Sequence, residues 1–272
     1  MCYLSSQISD MIKSGFSFFT ILPAHSVKED GGAIYSLFIV NAVVGGLSAI
    51  IFYFLFPVSE ILASVCAVVF LLAIRGFNDL DAVLDTGDAL MARVDVERRR
   101  AILKDRFHGT GSIGTALVLY LVIIAAISSL GRATGAFAVL LGQLVSAGTV
   151  TLTCAFGSPF HQGLGSLFIQ AARKKRMPLS AISLALPYSV SLILGTPYMV
   201  SLLISYVVWA LSFRVMARLF SGINGDIIGF LGEASFAYFV FTCAILFFIF
   251  SKTGIPFSTG MIPVVSGGRG LW

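Results

Sequence analysis

Ala33-Ile-Tyr-Ser-Leu-Phe-Ile-Val-Asn-Ala-Val-Val-Gly-Gly-Leu-Ser-Ala-Ile-Ile-Phe-Tyr-Phe-Leu-Phe56 contains no Asp, Glu, Lys or Arg. A helix needs roughly 20 mostly apolar residues to cross the hydrocarbon core of a bilayer, so this run is long enough to span. Pro57 and Ser59 then mark a turn, and a second apolar run follows over 61–72, continuing through Arg75. The two make a hairpin. Further runs cover 113–130, 136–156, 179–194, 198–213 and 234–250, broken by Gly131 to Gly135 and by Gly195-Thr196-Pro197. The expected fold is therefore all-α, a polytopic transmembrane bundle of about seven spans, with residues 1–272 as one integral membrane domain.

Composition agrees, since 57% of the chain is apolar and only 11% is charged, against the roughly 25% charged of an ordinary soluble domain. Lys and Arg concentrate on cytoplasmic connections of membrane proteins. With the N-terminus inside, all but Arg132, Lys252 and Arg269 of the 18 basic residues fall on that side. The expected location is a cell membrane, with the N-terminus and the segment 76–110 cytoplasmic. The net charge of +5 then reflects topology and anionic headgroups, with membrane lipid as a partner and no nucleic acid. Residues 8–22 place Ile8, Met11, Ile12, Phe16 and Phe19 on one face, as in an interfacial helix. That stretch lacks the features of a cleaved signal peptide. Cys2, Cys66, Cys154 and Cys243 form no CxxC pair and read as packing residues.

The long hydrophilic stretch 76–110 holds Asp79, Asp81, Asp85, Asp88, Asp95, Glu97 and Asp105, seven of the 13 carboxylates. On a helix over 80–90, Asp81, Asp85 and Asp88 stand at i, i+4 and i+7 and share a face. Asp79 lies about 200° from Asp81 at 100° per residue and belongs to the helix entry or to a second role. Three like charges on one face repel. A hard divalent cation relieves this, and Mg²⁺ is commonly held by one or two carboxylates plus substrate phosphates. Arg98, Arg99, Arg100, Lys104 and Arg106 follow the acids, and phosphate sites combine metal-bridged and Lys/Arg-neutralised oxygens. A glycine-rich turn, Phe107-His108-Gly-Thr-Gly-Ser-Ile-Gly114, leads into the third span and offers free backbone N–H groups to an anion.

A second polar island, 221–233, carries Asn224, Asp226 and Glu233, and carboxylates so close to the membrane core are functional candidates. A third, 158–165, holds His161 and precedes the basic run 173–176, which reads as a topology anchor.

At these residues the sequence resembles the cobalamin synthase family, integral membrane adenosylcobinamide-GDP ribazoletransferases. An N-terminal Phe-x-x-Leu-Thr-x-x-Pro theme is similar to Phe16-Ser-Phe-Phe-Thr20-Ile-Leu-Pro23. A central His-x-Asp-Gly-x-x-Asp-Thr-x-Asp-Gly motif resembles Asp79-Leu-Asp81-Ala82-Val-Leu-Asp85-Thr86-Gly-Asp88-Ala89, with Asp79 in place of the His and Ala82 and Ala89 in place of glycines. Glu97-Arg98-Arg99 and Lys104-Asp105 match later elements, and Gly222-Ile-Asn224-Gly225-Asp226-Ile-Ile-Gly229 resembles a late Gly-x-Thr-Gly-Asp-x-x-Gly element.

The resemblance implies transfer of the adenosylcobinamide phosphate moiety from adenosylcobinamide-GDP to α-ribazole or its 5′-phosphate, with release of GMP. It implies Mg²⁺ at Asp81, Asp85 and Asp88, with Asp79 as a further ligand. Lys104 and Arg106 would clamp phosphate oxygens, Arg98, Arg99 and Asn224 would line the substrate, and Asp105 or Asp226 would take the proton of the attacking hydroxyl. A homo-oligomer is left open. Two rival transferases use similar acids, the CDP-alcohol phosphotransferases and the intramembrane prenyltransferases, but the spacing of the first is absent and position 82 is Ala where the second needs Asp. The non-enzyme alternative is a cation-coupled transporter, whose sites sit in broken helices near the midplane, often in repeated halves.

Overall fold

A computed structural model describes residues 2–23, 31–105 and 107–253. Its helices are α1 (Cys2–Phe19), α2 (Leu37–Leu55, preceded by a 3₁₀ turn, Gly32–Ser36), α3 (Glu60–Ile74), α4 (Asn78–Met91), α5 (Val96–Ile102), α6 (Thr110–Ser128), α7 (Arg132–Phe156), α8 (Leu164–Lys174), α9 (Arg176–Leu194), α10 (Thr196–Leu219) and α11 (Gly225–Thr253). Among the described residues the β structure is limited to one bridge between Pro159 and Ile223. Helices α2, α6, α7, α9, α10 and α11 are each long and apolar enough to cross a membrane, and α3 with α4 is so only when the two are taken as one broken span. The expected all-α polytopic bundle is what the chain forms.

Alternating crossings bring the ends of α3, α7 and α10 and the starts of α2, α6 and α11 to one end of the bundle. Hydrogen bonds tie that end together: Tyr35 Oη donates to the Ala171 carbonyl at 2.7 Å, and Arg100 donates to the carbonyls of Phe220 and Ser221, each at 2.8 Å. At the opposite end Arg132 donates to the Tyr53 carbonyl and Tyr198 Oη to the Thr134 carbonyl, each at 2.8 Å.

The bundle turns its large apolar side chains outward. On α2, Ile39, Val43, Leu47, Ile50 and Phe54 are exposed, while Asn41, Gly45 and Ser48 lie inside. This suits a lipid environment, where helix association depends on small and polar contact residues more than on apolar burial. Helix α7 is the axis: 83% of its most apolar stretch is buried, against at most 44% for the other five long apolar helices. It is rich in small residues that admit its neighbours. A Cβ on Gly45 of α2 would lie 2.7 Å from the Gln143 Cβ, and one on Gly142 would lie 2.6 Å from the Phe236 ring of α11.

The second span stops at Arg75 because Gly76 and Phe77 both adopt left-handed backbone, with φ of 63° and 61°. The Phe77 N–H bonds to the Leu72 carbonyl at 2.9 Å and the Gly76 N–H to that of Ala73 at 3.0 Å, the paired bonds of a Schellman stop. Helix α4 then leaves at 92° and so runs across the end of the bundle rather than through it. The stretch 76–110, read from sequence as a hydrophilic loop, is thus largely helical. Ala82, Val83, Thr86 and Ala89 bury one face of α4, and Asp95 caps α5 by accepting the Arg98 N–H at 2.8 Å. Two further differences bear on the site. Helix α11 begins at Gly225 rather than at 234, and α8 occupies a stretch read as a polar island and a basic anchor.

Arg75 is buried at the bend. It donates to Asp79 Oδ2 at 2.8 Å, to Gln143 Oε1 of α7 at 2.6 Å and to Asn41 Oδ1 of α2. Removing one partner of a buried ion pair typically costs about 3–5 kcal/mol. Arg75→Leu is expected to lose stability on that scale, read as a fall in the thermal midpoint in detergent. Arg75→Lys should recover only part of it, because an ammonium cannot reproduce the planar fork that reaches three acceptors.

Candidate active site

Helices α1, α4, α7, α8 and α11 enclose a cavity of about 430 Å³ at the tied end of the bundle. One wall is apolar, with Phe18, Phe19, Ile34 and Phe168; the other is acidic, with Asp79, Asp81, Asp226 and Glu233. A more open groove of about 440 Å³ lies along the C-terminal end of α4 and the start of α6, lined by Asp88, Met91, Asp105, Phe107 and His108.

Between the two stand Asp81, Asp85 and His108, each offering a ligand atom within 4.8 Å of the others. His108 Nδ1 is 3.6 Å from Asp85 Oδ1. The Asp85 carboxyl is pushed up to about 6, first by burial and then by the negative charges of Asp81 and Asp226, with His108 partly opposing. A bound cation would reverse that penalty. Two carboxylates with an adjacent imidazole suit a divalent ion whose remaining positions are filled by phosphate oxygens and water, so the residues present fit Mg²⁺.

The other acids expected to hold metal are engaged elsewhere. The Asp79 carboxylate faces Arg75 across one turn, about half a turn around α4 from Asp81. Asp88 caps α6, accepting the N–H groups of Gly109 and, at 2.9 Å, Ser112. The N-cap residue there is Gly109, which has no side chain to do this itself. Arg99, expected to contact substrate, is buried and donates to the carbonyls of Ala89, Leu90 and Val94 at the end of α4. Arg98 and Lys104 are exposed. Asp105 is exposed in the groove, where its carboxylate accepts the Phe107 N–H at 3.2 Å. Arg106 lies outside the described residues. Asn224 caps α11, accepting the Ile227 N–H at 3.1 Å, and its amide donates to Asp226 Oδ2 at 2.6 Å, which aims that carboxylate into the cavity.

The chain matches the model of the cobalamin-5-phosphate synthase family over residues 11–244. It belongs to that family. Curated relatives named adenosylcobinamide-GDP ribazoletransferase include one from Thermoplasma volcanium, 34% identical over 86% of this chain and 90% of its own length. Another, from Picrophilus torridus, is 35% identical over 82% and 92%, and one from Thermoplasma acidophilum is 30% identical over 86% and 91%. No solved structure gives a significant match. As a cobalamin-5-phosphate synthase family member the chain is a transferase of cobalamin biosynthesis.

For this family member, sequence reasoning brought Asp81 and Asp85 together but left His108 undecided and did not single out Asn41 or Gln143. Only the glycine-rich turn after Asp105 signalled His108. Asp85→Asn and His108→Ala are expected to weaken binding of Mn²⁺, used as a paramagnetic probe, by at least about tenfold, the effect of losing one ligand at a site of a few ligands. Asp88→Ala should leave Mn²⁺ affinity near that of the wild type and lower stability by ~1 kcal/mol, the usual value of an N-cap.

Proposed function

We propose that this protein transfers the adenosylcobinamide phosphate moiety from adenosylcobinamide-GDP to a hydroxyl of α-ribazole or its 5′-phosphate, with Mg²⁺ held by Asp81, Asp85 and His108. The observation that carries the proposal is that this cluster joins the enclosed cavity to the open groove, through Asp81 on one side and His108 on the other, in a chain whose relatives bear the name of that reaction. In the transfer, the acceptor oxygen bonds to the cobinamide-linked phosphorus and the bond from that phosphorus to the bridging oxygen breaks. GMP leaves with the bridging electron pair. Mg²⁺ would supply charge neutralisation on the diphosphate.

Asp226 takes the proton of the acceptor hydroxyl, because it lines the cavity beside Asp81 and is oriented by Asn224. Asp105, the other candidate, sits in the groove on the donor side. Lys104, exposed at the same end, and Arg98 attract the anionic donor to the groove. We place this end of the bundle on the cytoplasmic side of the cell membrane, since Arg93, Arg98, Lys104, Lys174 and Lys175 gather there while Arg132 and Lys252 lie towards the other end.

Purified protein given adenosylcobinamide-GDP and α-ribazole 5′-phosphate is expected to release GMP and adenosylcobalamin 5′-phosphate in equal amounts with Mg²⁺ and neither with EDTA, followed by mass spectrometry. Asp85→Asn should abolish turnover in folded protein. Asp226→Asn should reduce it by about 10²- to 10⁴-fold, the usual contribution of a general base. Full turnover in Asp85→Asn would remove the cation assignment, and GMP formed without a corrinoid product would remove the transfer.

A further inference from the structure

The two substrates of the proposed transfer differ greatly in size and charge, and the two spaces that meet at Asp81, Asp85 and His108, nearly equal in volume at about 430 and 440 Å³, differ in enclosure and in lining. At about 430 Å³ the enclosed cavity lies toward the small end of the roughly 300–1,000 Å³ range of small-molecule sites. Walled on more sides than the groove, it admits a nucleoside, whereas a corrin macrocycle requires the more open surface. Charge favours the same assignment by degree, since the cavity carries four carboxylates and the groove two, Asp88 and Asp105, beside His108. Among the described residues lining the cavity, Arg75 is the one cation against Asp79, Asp81, Asp226 and Glu233, and its guanidinium is committed to Asp79, Asn41 and Gln143. A diphosphate is repelled there, whereas an uncharged base and ribose are not.

The apolar wall is shaped for a flat ring. Phe168 of α8 meets Phe18 edge-on, with centroids 4.7 Å apart and planes at 82°. It lies over Phe19 of α1 at 5.8 Å and 27°. A third planar ring beside such a cluster gains offset-stacked and edge contacts in addition to apolar burial.

We infer that the enclosed cavity is the acceptor subsite: the heteroaromatic base of the ribazole rests against Phe18, Phe19 and Phe168, its ribose faces Asp81 and Asp226, and the corrin ring of the donor stays outside. This rests on the transfer proposed above and assigns base recognition to two helices, α1 and α8, that carry none of the acidic motif. Any 5′-phosphate on the acceptor then projects away from the acidic wall.

The test is equilibrium binding of α-ribazole alone and of adenosylcobinamide-GDP alone to the full chain in detergent. Phe168→Ala removes the shared ring, and Val150→Phe fills the cavity from α7, where Val150 lines it. Both are expected to raise the Kd for α-ribazole by about tenfold or more, since loss of a stacked, buried ring exceeds 1.4 kcal/mol. The Kd for adenosylcobinamide-GDP should stay within about twofold, which also reports that the variants are folded, and Phe168→Trp should retain α-ribazole binding. Wild-type affinity for α-ribazole in Val150→Phe, or weakened donor binding with unchanged acceptor binding in Phe168→Ala, overturns the assignment. Wild-type protein that binds neither compound removes the transfer reading itself and this subsite with it.

Discussion

A guanidinium buried at the end of a membrane helix must be neutralised, and that requirement organises this protein. Arg75 sits where α3 stops, and its three acceptors belong to α4, α2 and α7. The ion pair with Asp79 fixes the first turn of α4, and the left-handed Gly76 and Phe77 give that helix its direction. The acidic residues of α4 are placed by that corner. Because Asp79 is consumed in holding it, the opposite face of the helix is left to Asp81 and Asp85. The ion-paired carboxylate and the two clustered with His108 are therefore set apart by the geometry of one helix, Asp79 and Asp81 lying about half a turn apart.

The rest of the bundle supports this arrangement by ordinary membrane packing. Large apolar side chains face outward and small ones line α7, so α2 and α11 approach its axis closely. Close approach is what lets Gln143 reach Arg75 and sets the start of α11, with Asp226, against the acidic face of α4. Helices α1 and α8 then roof the cavity with aromatic rings. Rigid crossings hold the charged half of the site, and two peripheral helices supply its apolar half.

The fold was legible because hydropathy is a long-window signal: the run over 33–56 became the 3₁₀ turn and α2 almost residue for residue. Hydropathy failed where polar residues belong to a crossing. Asp226 and Glu233 depress the average at the start of α11, so the span was placed too late in the chain. Within the site, the shared face of Asp81 and Asp85 followed from helical period alone. The use of Asp88 did not, since its partner Gly109 is 21 residues away on another helix and the demand comes from a glycine N-cap. Arg99 misled for a related reason. A basic residue after an acidic stretch reads as a phosphate ligand, whereas here it satisfies the last carbonyls of α4, a need visible only once that helix end is known.

The number of crossings has a consequence of its own. With the bent pair α3–α4 counted as one span the described residues hold seven, which sets the start of α2 and the finish of α11 at opposite ends of the bundle, with the cavity at the first of them. A second run of the same described helices, joined to the first by a short linker, would then enter the membrane upside down, with its cavity at the opposite face. A fused pair of such seven-span bundles would keep both cavities on one face only with an extra membrane helix between the halves.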